Sequence, residues 1–166
     1  MKAYIEQLMD YNYWANGLIM KYAEKLPVET FTAPVSDTLS SPRDILAHVL
    51  FAETIWLDRM QGIQRSLDEM LKAFRSENYP EIKDLFGDWF ELELRMRQYL
   101  ADLDEKTLLS TFTYSRTDGT AQEDRYIDIF TQLVFHGMQH RSEMAQILTD
   151  FGHSPGNIDY IIYLRP

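Results

Sequence analysis

The chain has 166 residues, no cysteine and a formal net charge of −10, from 16 Lys and Arg against 26 Asp and Glu. One domain with a sizeable core is implied, while disulfides, thiolate metal ligands and a cysteine nucleophile are excluded. An acidic surface repels nucleic-acid phosphates and anionic membranes, and Met1-Lys2-Ala3-Tyr4-Ile5-Glu6-Gln7 lacks the apolar core of a secretion signal, so a soluble cytoplasmic protein without nucleic-acid or membrane partners is the expectation.

Residues 2–26 read as a first helix, because Tyr4, Ile5, Leu8, Met9, Trp14, Leu18, Ile19, Tyr22 and Leu26 recur at three- and four-residue steps. Pro27 stops it, and residues 27–40, rich in Thr, Ser and Pro, read as a surface connection. The second helix starts clearly, with Ser41 as N-cap, Pro42 at the first position and Asp44 at the third, and it ends near Gly62. Ser66 with Glu69 predicts a short helix to about Phe74. A third long helix runs from about Pro80 to Leu103. Thr111-Phe112-Thr113-Tyr114 and the Asp118-Gly119 turn signal predict a minor hairpin lying against the helices. The fourth long helix spans about 127–150 and stops at Gly152, and Asn157 to Leu164 read as a final short helix. Four long amphipathic helices in one domain, 1–166, make an all-α four-helix bundle, with up-down-up-down and crossed topologies both open.

The chemistry centres on Phe135-His136-Gly137-Met138-Gln139-His140-Arg141-Ser142-Glu143. Positions four apart differ by about 40° around a helix, so His136 and His140 share a face and Glu143 falls on the same stripe. His48 stands at the edge of the apolar face of the second helix, beside Ala52 and Ile55. On sequence alone the three imidazoles are hydrogen-bonded core residues or ligands of one divalent metal. Burying several unpaired imidazoles is costly, and a metal satisfies all of them at once. Glu143 reads as a carboxylate that orients a ligand histidine, as a ligand itself, or as a solvated residue. Glu53 lies about 140° from His48 and faces elsewhere. Arg141, about 100° from His140, reads as a tie between the fourth helix and a neighbour. Tyr11, Trp14 and Trp56 read equally as core or as pocket lining, and His153 sits in a turn after the last long helix.

Four features taken together resemble the DinB family. They are Tyr11-Asn12-Tyr13-Trp14-Ala15-Asn16, His48 after Ser41-Pro42, His136-x₃-His140-Arg141, and the tail Asp159-Tyr160-Ile161-Ile162-Tyr163-Leu164-Arg165. The resemblance implies an up-down-down-up four-helix bundle, often a homodimer, with a metal held by His48, His136 and His140. Where the family often has Gly-Gln after the His-Arg pair, this chain has Ser142-Glu143. Three neutral histidines leave an ion its full charge and an open position, the layout of a catalytic rather than a structural site. Zn, Ni, Fe and Mn are all compatible candidates. The open position suits water, for hydrolysis, or a thiol held as thiolate. Similar proteins include S-transferases that use bacillithiol or mycothiol and a thiol-dependent maleylpyruvate isomerase. The resemblance therefore favours activation of a low-molecular-weight thiol for transfer to a small-molecule electrophile. From its own place on the histidine stripe, Glu143 is expected to take a proton or orient a ligand. A metal-dependent hydrolase and a non-catalytic stress-response bundle that binds a metal or small ligand are the alternatives.

Overall fold

A computed structural model describes residues 1–165, and Pro166, the last residue of the expected domain, lies outside them. The chain is mainly helical, with a small two-stranded sheet. Four long helices dominate: α1 (Lys2–Ala23), α3 (Pro42–Met60), α5 (Ile82–Asp102) and α7 (Tyr126–Asp150). Between and after them lie α2 (Val28–Thr32), α4 (Leu67–Ala73), a 3₁₀ turn at Ser76–Asn78, α6 (Glu105–Leu108), β1 (Thr111–Ser115), β2 (Ala121–Arg125) and α8 (Tyr160–Tyr163).

The starts of these helices follow their local chemistry. Asp44 N donates to Ser41 Oγ at 3.1 Å, and Pro42 fits the first turn of α3, where its missing N–H costs nothing. Ser66 and Glu69 form a reciprocal capping box at the start of α4. Arg125 grips Asp128 through two nitrogens, which places a carboxylate at the positive end of α7. Gly152, at φ +77°, ends that helix in a conformation that costs glycine little.

Two short helices are not among the expected elements. Residues 27–40 contain α2, which buries Phe31, and α6 sits between α5 and the hairpin, where it buries Leu108. Each is about one turn long, too short for periodicity to reveal. The hairpin is regular, pairing Thr111 with Arg125 through to Ser115 with Ala121. It holds to the helices by its aromatics. Phe112 stacks on Tyr126 at 4.5 Å, and Tyr114 meets Trp56 edge-on at 5.1 Å.

α1 packs on α7, α7 on α3, α3 on α5, and α5 on α1. Lys2 Nζ donates to Ala101 O and Arg97 pairs with Asp10, so α1 and α5 run in opposite directions. Arg95 pairs with Asp58, and Tyr99 Oη donates to Met60 O, so α3 and α5 run alongside. Leu50, Leu57, Leu85, Met96, Phe130, Leu133 and Met144 fill the shared centre. Each fully buried side chain of this kind contributes about 1.5–3 kcal/mol. The α3–α7 seam carries the histidines.

Candidate metal centre

His48 comes from the second turn of α3, and His136 and His140 come from the middle of α7. One ring nitrogen from each lies within 4.8 Å of those of the other two. His48 Nε2 and His136 Nε2 are 3.2 Å apart. Two nitrogens on a tetrahedral ion with bonds of about 2.0–2.1 Å stand about 3.3 Å apart, so the spacing suits a shared ion. The three rings meet edge-on, with centroids 4.6–5.1 Å apart. His48 is exposed while His136 and His140 are half-buried, so the cluster opens outward through the α3 side.

Electrostatics favours the ligand form. Burial, then the His140 and His48 rings, pushes the His136 pKa down to about 4. Burial and His140 push His48 down as well. Both imidazoles are neutral at pH 7, with a lone pair free to bind. Glu143 stands behind His140, whose Nδ1–H donates to Glu143 Oε2 at 2.7 Å. That bond fixes the tautomer and aims Nε2 into the cluster. The expectation that Glu143 shares the histidine stripe is met in this indirect way. His136 Nδ1 is buried without a hydrogen-bond partner among the described residues. An all-nitrogen donor set of three imidazoles, one braced by a carboxylate, fits a divalent transition metal.

The family model for the DinB family matches residues 1–166. The chain belongs to the DinB family. It is also similar to Protein DinB of Bacillus subtilis (strain 168), with 25% identity over 169 residues that cover 99% of this chain and 95% of that protein.

Behind the histidines this DinB-family chain carries a buried polar network that periodicity did not reveal. Arg141 Nη1 donates to Asn12 Oδ1 at 2.5 Å and to Asn16 Oδ1 at 2.8 Å, which ties α7 to α1 as expected for that arginine. Asn12 Nδ2 donates in turn to Glu53 Oε1 at 2.9 Å. Asn12 and Glu53 are fully buried and Arg141 is nearly so. Glu53 thus faces away from His48, and its destination is the core. Burial drives its pKa up, against the pull of Asn12 and Arg141. Gly137 makes room for the network, since a Cβ there would come within 2.6 Å of Arg141 Nη1. The sequence did hold a signal: Asn12 and Asn16 sit among the apolar positions Met9 and Ile19, and Gly137 interrupts a helix between two histidines.

The aromatics lie elsewhere. Tyr11 and Trp14 pack against Tyr163, and Tyr11 Oη donates to Ile158 O, which fastens the C-terminal segment to α1. Trp56 lies under the hairpin, and Trp89 is a core residue. His153 follows the end of α7, where its N–H donates to Leu148 O.

Proposed function

We propose that this chain is an up-down-down-up four-helix bundle that holds a divalent transition metal on His48, His136 and His140 and activates a small thiol for transfer to an electrophile. The topology is supported by the opposed α1–α5 pair and the aligned α3–α5 pair. The hairpin, which joins the last turns of α3 to the first residue of α7, supports an opposed α3–α7 pair. The observation that carries the functional reading is the convergence of three imidazoles at an outward-facing seam. His48, His136 and His140 would hold a divalent ion, whose positive charge would shift a bound thiol toward thiolate, the better nucleophile.

The residues divide the work. His136 and His140 set the inner side of the site, and His48 closes it from α3. Glu143 is a positioning residue, because its carboxylate is committed to the His140 Nδ1 proton. His48 is the exposed member of the cluster, so the proton of an incoming thiol would pass to solvent on its side. Membership of the DinB family and its resemblance to thiol-dependent S-transferases support a thiol over water. The resemblance to the DinB family also supports a homodimer and a stress-response role.

Elemental analysis of untagged protein tests the site. About one equivalent of Zn, Ni, Fe or Mn, lost in a folded His140→Ala variant, is the expected result. Metal-loaded protein is then expected to show saturable, metal-dependent conjugation of a low-molecular-weight thiol to an electrophile. A loaded protein that neither binds nor conjugates any such thiol refutes the transferase reading and leaves a metal-binding bundle.

A further inference from the structure

A second site lies away from the histidines, in a groove of about 480 Å³ between the end of α3, the segment leading to α4, and the hairpin turn. Arg59, Arg65 and Arg116 line it, against the single carboxylate of Asp58. Asp58 is already matched, with Arg65 Nε 3.1 Å from Oδ2 and Arg95 Nη2 2.8 Å from Oδ1. Three arginines against one aspartate give the lining a net positive charge of two on a chain of net charge −10.

Arg59 is the centre of the argument. Its guanidinium lies over the Trp56 ring at 4.8 Å and the Tyr114 ring at 4.9 Å, which hold it in one orientation. It is half-buried, and among the described residues no carboxylate pairs with it or with Arg116. Burial works most against its charge and the neighbouring Arg116 adds to that, while Tyr114 offsets part of it. A desolvated, oriented cation with a second cation beside it lacks one thing, an oxyanion between the two. The nearby acids are engaged: Asp124 accepts from Tyr114 Oη, and Asp118 accepts from Thr120 N and Oγ1.

We infer that this groove binds a small molecule through its carboxylate or phosphate groups, held between Arg59 and Arg116 with Tyr114 as one wall. The volume is that of a small-molecule site, and the acidic surface around it turns away nucleic acid. The site is separate from the histidines. Arg59 follows His48 by eleven residues on the same stripe of α3, about 16 Å farther along the axis.

Citrate and inorganic phosphate, titrated into the full chain at low salt, are the probes. Calorimetry and tryptophan fluorescence are the readouts, since Trp56 lies under Arg59. Saturable one-to-one binding of either anion is expected, weakened about tenfold or more by Arg59→Gln and by Arg116→Gln. Arg116 is exposed, so its variant keeps the test valid if Arg59→Gln disturbs the fold. Arg59→Lys is expected to bind more weakly than the parent, and His136→Ala to bind like it. Absence of saturable binding, binding unchanged in Arg116→Gln, or binding lost only in His136→Ala overturns the inference.

Discussion

Replacing Asn12 with Ala removes the one side chain that joins buried Glu53 to buried Arg141. Its amide donates to Glu53 Oε1 at 2.9 Å and accepts from Arg141 Nη1 at 2.5 Å. Each hydrogen bond to a charged group contributes about 1.5–3 kcal/mol. Both partners stay in the core after the change, Glu53 at 0% and Arg141 at 3% exposure, so water cannot easily replace the lost bonds. Arg141 keeps its bond to Asn16, which limits the loss on that side. The expected destabilisation is about 3–5 kcal/mol, because two buried groups each lose a partner, at about 1–3 kcal/mol for a neutral group and more for a charged one. For a chain of this size that lowers Tm by roughly 6–20 °C. Urea and thermal unfolding at pH 7, followed by far-UV circular dichroism, measure it. A loss below about 1 kcal/mol would mean that water fills the gap at little cost, and would refute the view that Asn12 bridges α1, α3 and α7.

Three further outcomes follow from the same geometry. Gly137→Ala is expected to lower stability by about 1–3 kcal/mol, because the new methyl meets Arg141 and Asn12, even though Ala is the better helix former by about 1 kcal/mol; a raised Tm would show that the network moves aside freely. Glu143→Gln is expected to keep the metal stoichiometry and weaken metal affinity about 10–100-fold, measured by chelator competition, since the His140 ring loses its charged brace. Glu53 has a raised pKa, so the folded state favours its neutral form. Its contribution to stability is full below the ordinary glutamate value and is lost as pH rises through the raised one. Urea midpoints of Glu53→Gln against pH should therefore lack a decline that the parent shows above about pH 4.5, and identical pH profiles would count against the assignment.

The long helices were legible because apolar residues at three- and four-residue steps must face one core, and because Ser41-Pro42 and Ser66-x₂-Glu69 mark helix starts by local bonding alone. The pairing of His136 with His140 was legible for the same reason, since four residues nearly complete a turn. The placement of His48 against them needed the packing of α3 on α7, which spacing within one helix does not contain. The Asn12–Glu53–Arg141 network was hidden for that reason too. Its members stand in three helices, and each alone is an ordinary polar residue. Polar residues inside helices usually face solvent, and only the company of Met9 and Ile19 marks Asn12 and Asn16 as buried. The groove beside Arg59 depends on how the hairpin folds back over α3, a contact between segments that share no pattern.

The three histidines come from only two helices, and His48 and His136 stand 88 positions apart. An ion held by both closes a loop of that length, as a cross-link does. Restricting the unfolded chain in this way is worth roughly 4–5 kcal/mol in the chain-entropy view. The chain has no cysteine with which to make such a link covalently. A metal link is reversible, so with such an ion bound the resistance to unfolding would rise and fall with the supply of free metal, and a chelator would loosen α7 from α3 with every covalent bond of the chain intact.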